Sequence, residues 1–68
     1  MLFKIMVRFP GDRTPKTYFF SDAPTANRFY YMKKEYYETD EAFKATMIGL
    51  WRLSHDGRSW VLKLSNYD

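Results

Sequence analysis

Apolar and polar residues alternate along the first part of the chain, residues 2–9. One side of an extended chain would carry Phe3, Ile5, Val7 and Phe9, and the other would carry Leu2, Lys4, Met6 and Arg8. A period of two over this stretch predicts a β-strand with one buried face. Turn-forming residues follow at positions 10–15 and end the strand. Residues 16–20 resume the extended pattern, and we expect Tyr18 and Phe20 to point to the inside.

A helix is predicted to begin after Ser21 or Asp22. Either side chain can accept a hydrogen bond from the free amides of a first helical turn, and Pro24 fits a position where its missing N–H costs nothing. At the helical period, one broad stripe collects Ala26, Phe29, Tyr30, Met32, Tyr36 and Tyr37. We expect the helix to end near Tyr37 or Glu38. Residues 42–45 fit either one further helical turn or an extended lead-in to the next strand.

The dipeptide Asp56-Gly57 lies between two apolar runs and is a strong signal for a β-hairpin with a two-residue type I′ turn. Such a turn places Leu53 opposite Trp60, Trp51 opposite Leu62, and Gly49 opposite Leu64. This face is almost wholly apolar, so we expect it to pack against the helix and to bury both indoles. On it, Gly49 either leaves a hollow for a large ring of the helix or marks a β-bulge. The tail, residues 66–68, is expected to fray.

The predicted order is strand, strand, helix, strand, strand, within one domain that spans residues 1–68. The simplest packing is a two-layer α+β fold (ββαββ) with one helix on one face of a four-stranded, mainly antiparallel sheet. A chain of 68 residues without cysteine has neither disulfides nor thiolate metal sites to stabilise it. Its aromatic content of 21% compensates, because each buried ring removes a large apolar area from water.

Nothing in the sequence has the pattern of an enzyme active site. His55 is the only histidine and is predicted to lie in an exposed turn, and there is no cysteine nucleophile. The acidic cluster Glu35, Glu38, Asp40 and Glu41 lacks the spaced loop of a calcium site, and the three glycines are too scattered for a phosphate loop. We therefore expect a non-enzyme without metal or cofactor.

The charges at Lys4 and Arg8 interrupt the apolar core that a signal peptide requires, and no stretch is long enough to cross a membrane. We therefore expect a cytoplasmic protein that has no membrane partner.

The face of the sheet away from the helix is the predicted binding surface. In the register above it carries Lys4, Met6, Arg8, Phe19, Leu50, Arg52, Val61 and Lys63, with Thr17 and Ile48 beside them. Its apolar members would form a larger patch than solubility favours, and the basic residues at its rim match the composition of an interface.

Three partners suit this surface. The leading hypothesis is a small protein-binding protein that inhibits a larger host protein, of the kind that phages and mobile elements encode. The alternative is nucleic acid, bound as a single strand or in a duplex groove, with Arg13, Lys16 and Arg58 as additional contacts. Against it, Phe19 is the only aromatic residue on that face in this register, and a net charge of +3 is modest. The third hypothesis is a homodimer formed through the same face.

Overall fold

The computed structural model describes residues 1–67. The elements are β1 (Phe3–Arg8), β2 (Lys16–Phe20), α1 (Ala23–Thr39), a 3₁₀ helix (Glu41–Phe43), β3 (Met47–Leu53) and β4 (Trp60–Ser65). All neighbouring strands are antiparallel, in the order β2-β1-β3-β4, and α1 packs on one face of the sheet. The predicted ββαββ architecture is confirmed.

Local capping defines the ends of α1. The carboxylate of Asp22 accepts a hydrogen bond of 2.9 Å from the Thr25 amide, and Pro24 lies in the first turn. This hydrogen bond lowers the pKa of Asp22. The helix continues to Thr39, slightly past the predicted end. Asp40 then caps the 3₁₀ helix by accepting from the Ala42 amide, so the segment after α1 takes the helical alternative.

The buried face of α1 is narrower than its apolar stripe. Ala26, Tyr30 and Tyr37 are buried, and burial is the main cause that raises the pKa of both tyrosines. Met32 and Tyr36 were expected in the same stripe, but both remain more than half exposed. One helix lying on a small sheet covers only the side chains nearest its line of contact, so the edges of a broad stripe stay in water.

The pairing of β1 with β3 decides which side chains of β3 meet the helix. The central partners are Ile5 with Leu50 and Val7 with Ile48, and each is at most 1% exposed. Because side chains alternate along a strand, Trp51 lies on the opposite face, where its partner is Lys4. Trp60 lies on that face too. The expected orientation of the β3–β4 hairpin is therefore wrong, since the indoles face away from the helix.

The orientation of β3 was predicted wrongly because both of its faces are apolar, so hydropathy alone does not show which face packs against the helix. Compact aliphatic side chains fill the layer between β1 and α1, which already contains the large ring of Tyr30. Tyr18 and Phe20 of β2 do lie on the helix side, as predicted, where both rings lie close to Phe29, but Tyr18 remains 37% exposed.

The hairpin loop reaches the predicted strand register through a different turn. Leu53 is opposite Trp60, but Gly57 is the only residue of the loop with a positive φ, at 72°. A type I′ turn needs positive φ at both central residues, so that prediction is wrong. Instead, the Gly57 amide donates to the Ser54 carbonyl and the Ser54 amide donates to the Ser59 carbonyl. This loop is longer than a two-residue turn, but it leaves the same residues of the two strands opposite each other next to the loop.

A β-bulge separates the two halves of the β3–β4 pair. Pairing shifts between Leu50 and Trp51, so that Leu62 lies opposite Trp51 whereas Leu64 lies opposite Leu50. Lys63 is the extra residue on β4. The bulge turns Leu64 towards the helix, where it packs against the core. The predicted pairing of Gly49 with Leu64 is therefore wrong, and Gly49 lies opposite Ser65.

The hollow at Gly49 lies on the face away from the helix. A Cβ at this position would come within 2.6 Å of the Trp51 ring and 3.0 Å of the Tyr67 hydroxyl. Gly49 therefore makes room for an indole of its own strand, rather than for a ring of the helix. The chain end is held in place beside it, contrary to the expected fraying: the Asn66 side chain accepts from the Ile48 amide and donates to the Thr46 carbonyl, both at 2.9 Å. Asp68 lies outside the described residues.

Two leucines provide a matched test of this orientation. We expect Leu50→Ala to lower the free energy of unfolding by about 2–5 kcal/mol, because it leaves a cavity under the helix. Leu62→Ala, on the neighbouring strand but 47% exposed, should cost about 1 kcal/mol or less. Chemical denaturation followed by circular dichroism measures both. A larger loss for Leu62→Ala than for Leu50→Ala would show that the two faces are assigned the wrong way round.

Candidate functional site

We define the open face as the sheet surface away from α1. Its strand residues are Lys4, Met6, Arg8, Thr17, Phe19, Met47, Gly49, Trp51, Leu53, Trp60 and Leu62. One cross-strand row, Phe19–Lys4–Trp51–Leu62, spans all four strands. The surface is therefore a continuous array of rings and aliphatic groups with a lysine inside it. Phe19 is its most exposed ring, at 62%.

Lys4 is held between aromatic rings. Its Nζ lies 4.4 Å from the centroid of the Trp60 ring and 5.7 Å from that of Trp51. The Trp60 side chain extends from edge strand β4 across the sheet, and its ring centroid is 6.4 Å from that of Phe19 on the other edge strand. Cation–π attraction of this kind contributes about 0.5–2 kcal/mol, depending on how far the cation is desolvated. It fixes an ammonium group within an aromatic surface.

Charge is distributed unevenly over the fold. The four strands contain five basic residues, Lys4, Arg8, Lys16, Arg52 and Lys63, and no acidic residue. The rest of the chain has six basic and eight acidic residues, so the small net charge conceals a cationic sheet. Within residues 1–67 the only ion pair is Lys34–Glu38 on the helix, so no carboxylate neutralises the strand cations at close range.

Four of the predicted binding residues lie on the open face, and four do not contribute to it as expected. Lys4, Met6, Arg8 and Phe19 are where the sequence placed them. Leu50 is buried in the core, as is its expected neighbour Ile48, because β3 presents these side chains to α1. Arg52 lies on the helix side opposite Phe3, and Val61 lies opposite Arg52. Lys63 is exposed, but it is the bulged residue.

The three additional nucleic-acid contacts are dispersed. Arg13 is exposed in the β1–β2 loop, and Arg58 is exposed in the hairpin loop at the opposite end of the sheet. Lys16 pairs with Val7 and therefore lies on the helix side, with its Nζ 5.4 Å from the Phe9 ring centroid. These residues do not form one site with the open face.

The sequence prediction missed the residues that most distinguish the open face, Trp51 and Trp60, together with Met47, Leu62 and Tyr67. One signal was present in the sequence. Gly49 lies two residues before Trp51, on the same side of the strand, and a missing side chain beside an indole allows the ring to lie flat along its own strand. The pairing of β3 with β1 decides on which face of the sheet the Trp51 indole lies, and no feature of the sequence indicated that pairing.

Residues 1–67 contain no group of three histidine or carboxylate side chains that could hold a metal ion. His55 is exposed in the hairpin loop. Asp56 in the same loop accepts hydrogen bonds from the Ser54 hydroxyl and the Arg58 amide, and these lower the pKa of its carboxyl. Asp56 thus stabilises the conformation of the loop. None of the described helices is long and apolar enough to cross a membrane.

The position of Lys4 over two indoles is measurable by NMR. Ring currents should shift the ε-methylene protons of Lys4 upfield of those of Lys44, which is exposed and whose Nζ lies over no ring of residues 1–67. Trp60→Leu removes the closer ring and should reverse most of the shift, while leaving Lys44 unchanged. Equal shifts for the two lysines in the unaltered protein would contradict the Lys4–indole contact.

A comparison with family models, curated proteins and solved structures finds no match for this chain. Its function therefore has to be inferred from the residues of the open face and from their chemistry.

Proposed function

We propose that the open face binds single-stranded nucleic acid. The observation that carries this proposal is the ammonium group of Lys4, which lies against the rings of Trp51 and Trp60, with the exposed ring of Phe19 beside Trp60. Proteins that bind single strands without strong sequence preference combine rings on which bases stack with basic groups that follow the phosphates. The open face has both elements within one patch.

The charge distribution supports an anionic partner. Lys4 and Arg8 lie on the open face, and no strand carries an acidic residue that would repel phosphates. Neutralised phosphates release counterions, so even two or three contacts make binding favourable at low salt. Of the five strand cations, Lys4 and Arg8 lie on the same face as the rings, so the proposal rests on these two rather than on the net charge of +3.

The exposed rings of the surface favour a single strand over a duplex. The six residues of β1 span about 20 Å at 3.3 Å per residue, which is long enough for a few nucleotides. Bases inside a duplex are stacked on one another and cannot stack on protein rings, whereas the bases of a single strand can. Phe19 would receive the first base, because it has the most exposed ring.

A protein partner is the second candidate. The exposed fractions of Phe19 (62%), Leu62 (47%) and Met47 (41%) favour it, because they give the open face an apolar surface that another protein or a second copy of this chain would cover. An inhibitor of a host protein would use this same surface. The two candidates differ in their response to salt, since apolar contacts do not weaken as salt rises.

Fluorescence anisotropy of a labelled oligonucleotide tests the proposal. We expect single-stranded DNA or RNA to bind at low salt, with an affinity that falls linearly with the logarithm of salt concentration. Phe19→Ala should weaken binding by about 1–3 kcal/mol, because one stacking ring is lost. Phe19 is exposed, so the variant should fold normally, which circular dichroism verifies.

Tyr31→Ala is the matched control. Tyr31 is also an exposed aromatic residue (55%), but it lies on the helix, and its removal should leave the affinity unchanged. The proposal is wrong if neither single strands nor duplexes bind at low salt, or if the Phe19 and Tyr31 variants lose the same affinity. Tighter binding to duplex than to single strands would indicate groove binding instead.

A further inference from the structure

A recess on the open face lies beside the aromatic cluster formed by Phe19, Trp51 and Trp60, at the end of the sheet where β1 finishes. It has a volume of about 220 Å³ and is lined by Met6, Arg8, Pro15, Met47, Trp51 and Tyr67. The volume is below the roughly 300–1,000 Å³ of typical drug-sized sites, so the recess suits one ring system rather than a larger ligand.

The walls of the recess suit a flat aromatic ligand. The Trp51 ring and the Tyr67 hydroxyl lie over Gly49, which has no side chain to push them outward. Two methionine side chains, Met6 and Met47, complete the apolar lining. Thioethers are polarisable and make favourable contacts with aromatic rings.

Arg8 gives the recess an anion-binding group. Its side chain is exposed and makes one hydrogen bond, from Nε to the Asp12 carbonyl at 3.4 Å, which leaves the terminal nitrogens of the guanidinium as donors. No carboxylate within residues 1–67 forms an ion pair with it. A planar guanidinium is well suited to binding a phosphate through two hydrogen bonds.

We infer that this recess holds one unstacked base of the bound single strand, with the phosphate of that nucleotide on Arg8. The inference rests on the proposed function and adds a subsite to it. Trp51 connects the recess to the aromatic cluster, because it lines the recess and its ring also contacts Lys4. From the Lys4 row to the Arg8 row is about 13 Å along β1, so a strand that stacks on the cluster continues into the recess.

The four methionines of the chain make the test specific. With ¹³C-methyl methionine, addition of a short single-stranded oligonucleotide should shift the methyl signals of Met6 and Met47 through the ring current of the base. Met32, 56% exposed on the helix, should not move. In a series of oligonucleotides with one abasic nucleotide at each position in turn, one member should lose the shift at Met6 and Met47 while keeping its phosphate.

Binding measurements separate the subsite from the whole surface. Arg8→Gln should weaken oligonucleotide binding roughly tenfold, whereas Arg28→Gln on the exposed side of the helix should leave it unchanged. If Phe19→Ala weakens binding but Met6 and Met47 do not respond, the recess is not a base site and the proposed function stands. If no oligonucleotide binds, both fail. If shifts at Met6 and Met47 survive every abasic substitution, they do not come from a base and the inference is overturned.

Discussion

The antiparallel pairing of β1 with β3 is the constraint on which the rest of the structure depends. It places Ile5 opposite Leu50 and Val7 opposite Ile48, in the layer that α1 covers. Since side chains alternate along a strand, the same register directs Lys4 and Trp51 to the other face. A shift by one residue would bury the indole and expose the leucine, and it would require a different core.

This constraint concentrates two properties on one surface. The large rings that do not fit under the single helix lie on the open face together with Lys4 and Arg8, and no strand carries an acidic residue. Trp60 spans the sheet to reach Phe19, with Lys4 against its ring. The Lys4 ammonium group and the two indoles already contact one another, so little of their side-chain freedom would be lost if the proposed single strand bound.

Local patterns predicted the elements well, and the residues responsible are identifiable. The alternation around Phe3 and Ile5 defined β1, and Asp22 with Pro24 defined the start of α1. The Asp56-Gly57 signal located the hairpin. The predicted turn type was wrong, but loops of two and four residues leave the same residues opposite each other, so the strand register next to the loop was right.

The orientation of β3 was not predictable in this way. Leu50 and Trp51 are both apolar, and which of them faces the helix depends on the fit to β1 and on a bulge in β4, which single-sequence periodicity does not report. Of the eight residues predicted for the open face, Lys4, Met6, Arg8 and Phe19 lie on it, and both indoles were expected on the other face.

One measurement tests both the orientation of the indoles and the proposed binding role of the open face. It is the intrinsic tryptophan fluorescence of the protein during titration with a single-stranded oligonucleotide. Trp51 and Trp60 are the only tryptophans, and both lie on the open face. Bases that stack on this face should quench their emission in a saturable way, with the same dissociation constant that anisotropy of the labelled oligonucleotide reports. An oligonucleotide that binds by anisotropy without changing the tryptophan emission would contradict the assignment of the open face as the binding surface.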